Sequence, residues 1–385
     1  MNRGLTDLLR VIAVTCIVYN HTIWPDYVAV AGPDATLWHH ACAWLNQAGK
    51  ASVLFFLFLS GFAFGAHPMN RSFNSLHFFK NRALRILPPF LIALTIGFAL
   101  RVAYHPEEPH GPLRFLRGLL TGSHWMHLYF VSLLVYLYAL FPLLRRLRAN
   151  RANAILLTIP LFIYMALFDL PRGALMYFGL EAAPDFFAGW QALHRQLVEI
   201  ISPFAQTWLQ YAVYALPTFV FGLWASQIRT SEQTHRSMRF ALLGGALIVA
   251  FALVLLDFYS GLGLGIDADT SGRVWRPSVV LYAMVAIALL FNMQSNPRGP
   301  IIKRLSRASF LVYLFHPYII ECGYGLPISL RTALVIVLSW ALALGLNFLG
   351  TRYPNIGLFL GEGDRRPARP AAGAELPANA ASLAG

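Results

Sequence analysis

Apolar segments long enough to cross a lipid bilayer as helices recur along this 385-residue chain. A hydrocarbon core of about 30 Å requires roughly 20 apolar residues per helix, and lipid offers backbone N–H and C=O groups no other partner. Hydrophobic residues make up 57% of the chain and charged residues 12%, which excludes an ordinary soluble domain. We therefore predict an all-α, polytopic membrane bundle of about ten transmembrane helices. The predicted spans are 5–24, 48–66, 86–102, 128–144, 154–170, 208–228, 240–258, 274–293, 309–324 and 332–349.

Basic residues alternate from one predicted connection to the next. Arginine and lysine cluster after every second span and in the tail, whereas most acidic residues lie in the intervening connections. By the positive-inside rule, both termini are predicted to be cytoplasmic, and this topology accounts for the formal charge of +13 without nucleic acid. We predict a transmembrane domain over residues 1–352 and a cytoplasmic, largely disordered tail over 353–385, rich in Pro, Ala and Gly. Polytopic design and few cysteines fit a bacterial inner (cytoplasmic) membrane. Cys42 and Cys322 are predicted to be free thiols, and a disulfide between them is the alternative.

The first predicted span, "LLRVIAVTCIVYNHT", contains an arginine and a histidine. Arg10 and His21 are 11 positions apart, which places them on nearly the same helical face and about 16 Å apart along the axis. Ionisable side chains within a span are costly and usually face the bundle interior or a water-filled cavity. The alternatives are an Arg10 that reaches the inner headgroups and a His21 that is satisfied at the interface.

The stretch "KNRALRILPPF" stands at the predicted cytoplasmic end of the third span. Arg82 and Arg85 are three residues apart and share a helical face, and Lys80 is close by in sequence. Paired guanidinium groups match phosphate oxygens well because their planar donors bind bidentately. The alternative is that these residues are ordinary flanking charges that contact lipid headgroups.

Four stretches together resemble the membrane acyltransferase-3 family. "TDLLRVIAVTCIVYNH" is similar to the opening of that family, with Asp7, Arg10 and His21 at the matching positions. "LFFLFLSGFAFG", "RALRILPPF" and "SFLVYLFHPYII" are similar to its second-span, third-span and late-span motifs, and they occur in the same order. The resemblance covers the predicted transmembrane domain from end to end. It implies a membrane-bound O-acyltransferase of surface or periplasmic carbohydrates, as in polysaccharide (exopolysaccharide) modification.

The resemblance implies a donor and an acceptor on opposite sides of the membrane. The donor is a cytoplasmic acyl-CoA, acetyl-CoA by family frequency, and the acceptor is a hydroxyl of an extracytoplasmic or lipid-linked carbohydrate. We expect His21 to act as base or acyl relay. Arg10, the second expected catalytic residue, lies deeper and is expected to guide the pantetheine or balance a phosphate. Arg82, Arg85 and Lys80 are expected to bind acyl-CoA. No permanently bound cofactor and no metal are expected, and the remaining partners are membrane lipid and separate polysaccharide-assembly proteins.

Further polar residues have both functional and structural interpretations. Ser60 is a candidate for lining the substrate path, and helix packing beside Gly61 is its alternative. Glu321, near the outer end of the ninth span, is a candidate sugar contact or an ordinary interfacial acid. His316 precedes Pro317 and either lines the pathway or bonds to a carbonyl that the proline frees, and we favour the structural role.

Another class of function also fits a buried arginine and histidine on one helix. A proton-coupled transporter or flippase of a lipid-linked sugar or organic anion would use such residues equally well. The chain lacks similar halves with matching Gly or Pro interruptions, which many transporters show. A catalytically silent assembly subunit is a third possibility. It predicts that His21 is dispensable.

Overall fold

A computed structural model of the protein describes residues 3–65, 73–107, 111–122, 125, 127–147, 150, 152–153, 155–157, 215–226, 236–263, 265, 267–274, 276–293, 297, 299–323 and 325–361. Within those ranges the regular structure is helical and contains no strand. The helices are α1 (Arg3–Thr22), α2 (Trp24–Val28), α3 (Leu37–Gly49), α4 (Ala51–Gly65), α5 (Ser75–Tyr104), α6 (Pro112–Thr121), α7 (Tyr129–Leu144), α8 (Ala215–Ala225), α9 (Arg236–Gly263), α10 (Ala268–Ser271), α11 (Pro277–Asn292), α12 (Pro300–Cys322), α13 (Ile328–Arg352) and α14 (Pro354–Phe359).

Four stretches of helix in the described ranges are long and apolar enough to cross a membrane, which makes this an integral membrane protein. They are Leu37–Gly65, Ser75–Tyr104, Met238–Gly263 and Ile328–Arg352. The pair Gly4–Thr22 and Trp24–Ala31 passes the same test together, bent by 67°. The predicted span 154–170 and residues 208–214 of the next one fall largely or wholly outside the described residues. The count of ten and the cytoplasmic termini therefore stay predictions.

Two helices begin well before the spans predicted from hydropathy. The span expected at 48–66 belongs to a stretch that starts at Leu37, because α3 and α4 follow each other with only Lys50 between them. The span expected at 86–102 lies within α5, which begins at Ser75. The side chain of Asn74 caps α5 by accepting a hydrogen bond of 2.9 Å from the backbone N–H of His77. A hydropathy window does not detect polar helical turns that precede an apolar run.

Helix α1 lies at the centre of the described bundle and packs against α4, α12 and α13. Helix α12 in turn packs against α5 and α13, and the short helix α14 packs against α5 and α13. A continuous apolar core joins these helices through buried residues such as Val18, Leu54, Phe90 and Leu311. Because α3, α4, α12 and α13 all contact α1, much of its surface is buried against protein.

Helices α4 and α8 approach each other at backbone distance. A Cβ atom added at Gly61 would lie 1.9 Å from the carbonyl oxygen of Phe219, and one at Gly222 would lie 2.1 Å from that of Phe58. Gly65, four residues after Gly61, is equally close to Leu223. Small residues at such spacing let membrane helices pack closely and gain van der Waals contact. The glycines of "SGFAFG" therefore have a packing role.

Candidate active site

The polar side chains in the first half of α1 are connected to α12. Arg10 Nη1 lies 3.6 Å from Asp7 Oδ1, one helical turn earlier. The same carboxylate oxygen accepts a hydrogen bond of 2.6 Å from the hydroxyl of Ser306. Asp7 and Arg10 keep 26% and 35% of their side-chain surface exposed, so neither is sealed in the core. Arg10 is thus held by an anchored carboxylate and still accessible.

That accessible surface belongs to a large cavity, which we call the basic cavity. Its volume is about 970 Å³, and residues of α1, α4, α5, α7 and α12 line it together with Leu360 and Gly361. Its basic lining residues, other than histidine, are Arg10, Arg82, Arg85, Arg145, Lys303 and Arg307. Among the described residues that line it, Asp7 is the one acid. A concave surface with this excess of positive charge concentrates field and attracts polyanions.

Aromatic rings support two of the guanidinium groups in the basic cavity. Arg82 lies 4.6 Å from the ring centroid of Phe64 and 5.7 Å from that of Phe78. Arg145 lies 4.4 Å above the ring of Phe73. Cation–π attraction holds a guanidinium near a ring while its N–H donors stay available. The arrangement suits recognition of a flat or bidentate anion such as phosphate.

The structure brings together most of the residues expected to bind the donor, but not Lys80. Arg82, Arg85 and Ser60 line the basic cavity with Arg10. Lys80 is exposed and does not line it. The reason is helical geometry, since a residue two positions before Arg82 points about 160° away from it around the axis. Lys80 was expected beside the two arginines because it is close to them in sequence. The structure separates Lys80 from them.

His21 lies toward the other end of α1, within a cluster of imidazole rings. Its ring centroid is 5.4 Å from that of His316 on α12, and the ring of His127, just before α7, lies 5.1 Å from His316. His21 is half-buried, whereas His316 and His127 are 0% and 2% exposed. These three residues are called the histidine cluster below. Nothing in the sequence motifs pointed to His127.

Tyr313 connects the basic cavity with the histidine cluster. It lines the cavity, while its ring centroid lies 5.4 Å from His127 and 6.2 Å from His316. Its hydroxyl donates a hydrogen bond to the backbone carbonyl of His127. The deep end of the cavity is therefore separated from the imidazoles by about one side chain.

Charged residues lie near His21 at its end of the bundle. Lys50, between α3 and α4, and Asp269 lie within electrostatic range of His21. Glu321 is half-buried near the C-terminal end of α12 and does not line the basic cavity. The structure thus separates Glu321 from the cationic residues, and its role as a sugar contact stays a prediction.

Three cationic residues of the basic cavity served in the sequence analysis only as evidence for membrane topology. Arg145 follows α7, and Lys303 and Arg307 are four residues apart on α12. Their i, i+4 spacing puts Lys303 and Arg307 on one helical face but does not show which helix that face contacts. In the part of the chain that the structure describes, no group of three or more His, Cys, Asp or Glu residues is arranged to hold a metal ion.

Comparison with known proteins defines the class and then the family. The chain matches a family model described as an acyltransferase domain over residues 6–352. Since the chain also forms an apolar helical bundle, the protein is a membrane acyltransferase. The match covers nearly the whole chain, and the protein belongs to the acyltransferase-3 family. The resemblance found in the four sequence motifs is therefore confirmed. Comparison with curated proteins and with solved structures gave no match.

Proposed function

We propose that this acyltransferase moves an acyl group, most often acetyl, from acyl-CoA to a hydroxyl of an extracytoplasmic or lipid-linked carbohydrate. The observation that carries the proposal is the basic cavity, whose described lining combines six lysine and arginine side chains with a single acid. The cavity reaches Arg10, on the helix that carries His21. The donor enters from the basic end of the bundle, which faces the cytoplasm. The acceptor approaches from the end at which His21 lies.

The chemistry of acyl-CoA matches the basic cavity. Acyl-CoA carries several phosphate charges on its nucleotide part and ends in a thin, uncharged thioester arm. Arg82, Arg85 and Arg145 supply charge-assisted donors for the phosphates, and the neighbouring phenylalanines offer apolar surface to the adenine ring. A volume of about 970 Å³ falls at the upper end of the range of small-molecule sites. Arg10 lies where the arm would leave the nucleotide site.

Acyl transfer needs a base beside the acceptor hydroxyl. In the proposed step, His21 removes the hydroxyl proton while the oxygen attacks the thioester carbonyl, and a new C–O bond forms. The tetrahedral intermediate then breaks its C–S bond, and the CoA thiolate leaves and takes up a proton. The alternative is that His21 first attacks the thioester itself and passes the acyl group on as an acyl-imidazole. Both routes place His21 at the reacting carbonyl.

The carbohydrate acceptor is inferred from the family resemblance and from the position of His21. His21, Lys50 and Glu321 lie away from the basic cavity, so an acceptor reaching His21 does not compete with the nucleotide for the same space. Lys50 and Asp269 place a positive and a negative charge near His21, one a hydrogen-bond donor and the other an acceptor. Such groups suit a hydroxyl-rich substrate.

Transfer of label from acetyl-CoA tests the proposal. Inverted membrane vesicles that contain wild type, His21→Ala or His105→Ala are incubated with acetyl-labelled CoA, and alkali-labile label is measured in envelope carbohydrate. His105 is an exposed histidine outside the basic cavity and the histidine cluster, so it serves as the matched control. Label with wild type and His105→Ala but not with His21→Ala supports the proposal.

Two other results argue against the proposal. Equal label with His21→Ala would remove His21 from the mechanism. No label with any variant, although envelope acceptor is present and succinyl-CoA has been tested in parallel, would favour the transporter function.

A further inference from the structure

Pro317 interrupts the hydrogen-bond pattern of α12 next to His316. Proline has no N–H, so the carbonyl of Tyr313, four residues earlier, loses its usual helical donor. Nδ1 of His316 lies 2.8 Å from that carbonyl oxygen and 3.2 Å from the carbonyl oxygen of Val312. Because a carbonyl can only accept, Nδ1 carries the proton. In a neutral imidazole the other nitrogen, Nε2, is then an acceptor.

His127 has its tautomer set in the same manner. Its Nε2 lies 3.3 Å from the carbonyl oxygen of Leu314, so Nε2 donates and Nδ1 is the acceptor. His127 Nδ1 and His316 Nε2 are buried, and neither has a hydrogen-bond partner among the described residues. Leaving a buried acceptor without a partner is energetically unfavourable, which favours any arrangement that supplies a donor. The histidine cluster thus keeps an open acceptor beside the half-buried His21.

The spacing of His21 and His316 fits a hydrogen bond between their rings. An N–H···N bond of about 2.9 Å, with each nitrogen about 1.2 Å from its ring centre, sets the centroids roughly 5.3 Å apart. The observed separation is 5.4 Å, with the rings inclined by 33°. The separation of the two rings therefore leaves room for a hydrogen bond between a His21 nitrogen and Nε2 of His316.

We propose that His316 is a positioning residue that accepts the N–H of His21 at its buried Nε2. The bond fixes His21 in the tautomer whose other nitrogen is free to take the proton of the acceptor hydroxyl, and it orients the charged ring formed in that step. His127 packs edge-on against His316, with ring planes at 67°, and holds its orientation. The inference rests on the proposed function, since it assigns His21 the role of base.

Two amide substitutions separate this role from a purely structural one. In His316→Asn, the side-chain amide reaches the position of Nδ1 and still donates to the Tyr313 carbonyl, but no acceptor remains at the position of Nε2. In His316→Gln, the longer side chain brings an amide oxygen to the position of Nε2. A structural role predicts that Asn preserves activity at least as well as Gln. A positioning role predicts the opposite order.

The measurement is the rate of acetyl transfer to envelope carbohydrate at varied acetyl-CoA, with His21→Ala and wild type assayed alongside. For His316→Asn we expect kcat to fall about 10- to 100-fold with an unchanged KM for acetyl-CoA, and for His316→Gln a partial recovery of kcat. Melting temperatures in detergent should be similar for the two variants. Equal kcat in Asn and Gln, or full activity in Asn, overturns the positioning role.

The controls distinguish failure of the inference from failure of the proposed function. An active wild type and an inactive His21→Ala leave the His316 comparison decisive. Wild-type activity that survives His21→Ala overturns the role of His21 as base and the positioning role with it. Absence of transfer by wild type does the same, since both rest on the transfer reaction.

Discussion

Ser306 and Asp7, which are 299 residues apart in the chain, are joined by a hydrogen bond of 2.6 Å at the wall of the basic cavity. The carboxylate oxygen that accepts this bond also faces Arg10. One interaction therefore attaches α1 to α12 and at the same time orients the cation on α1. The family motif Asp7, Arg10 and His21 places two of its members in this contact.

We predict that Asp7→Asn lowers kcat for acetyl transfer without weakening acetyl-CoA binding. The amide oxygen still accepts a hydrogen bond from Ser306, but Arg10 loses its charged partner, which lowers kcat. Asp7 is the one acid in the described lining, so its removal does not reduce the attraction of the cavity for a polyanion. Transfer kinetics and titration calorimetry with acetyl-CoA check the two effects. Ser306→Ala keeps the ion pair and serves as the milder control. We expect it to lower the free energy of unfolding by about 1 kcal/mol. Weaker acetyl-CoA binding in Asp7→Asn would contradict the expectation.

The arginines of the basic cavity should determine donor affinity. We expect Arg82→Ala and Arg85→Ala each to weaken acetyl-CoA binding about 10- to 100-fold, which corresponds to about 1.5–3 kcal/mol for a hydrogen bond to a charged group. Arg239→Ala removes an exposed arginine that does not line the cavity and should leave affinity unchanged. Lys80→Ala should resemble this control, and a loss of affinity equal to that of Arg82→Ala would contradict the cavity geometry.

Gly61→Ala should destabilise the bundle. The added Cβ would lie 1.9 Å from the backbone carbonyl oxygen of Phe219, and neither backbone can yield without separating α4 from α8. We expect a lower yield in membranes and a melting temperature reduced by several degrees in detergent. Gly244→Ala in α9 is the matched control because nothing lies within 4 Å of its added Cβ. Equal melting temperatures for the two variants would show that α4 and α8 do not pack through Gly61.

Gly361→Ala should alter the mouth of the basic cavity. Gly361 has a φ of +76°, in the left-handed region, and its added Cβ would lie 2.1 Å from the carbonyl oxygen of Arg85. The segment after α14 must then move away from α5, which changes the wall around Arg85. We expect a raised KM for acetyl-CoA with little change in kcat at saturation. An unchanged KM would show that Leu360 and Gly361 contribute nothing to donor binding.

The orientation of the bundle is open to cysteine labelling. Cys322 ends α12 and is exposed, whereas Cys42 is buried. If the end of the bundle at which His21 lies is extracytoplasmic, a membrane-impermeant maleimide should label Cys322 in cells with a permeable outer layer, and Cys322→Ser should abolish that label. Ser75→Cys, introduced at the exposed start of α5 in the Cys322→Ser background, should react only in inverted vesicles. The reverse pattern would invert the proposed direction of transfer.

Hydropathy and motif reasoning predicted much of this protein because those signals are local. Apolar runs indicated membrane helices, and the spacing of Arg10 and His21 indicated one polar face of α1. The proline after His316 pointed to a freed carbonyl, and the bond to Tyr313 confirms that expectation. The four ordered motifs identified the family. Each of these inferences depends on short stretches of the chain and on no contact between helices.

Only the tertiary structure decided which helical faces meet. Lys303 and Arg307 share a face of α12, and packing of α12 against α1 and α5 makes that face part of the wall of the basic cavity. Packing likewise brought His127 to His316. The physical reason is that hydropathy, spacing and proline effects act within one helix, whereas a site between helices depends on contacts between residues as distant as Asp7 and Ser306, which no periodicity in the chain encodes.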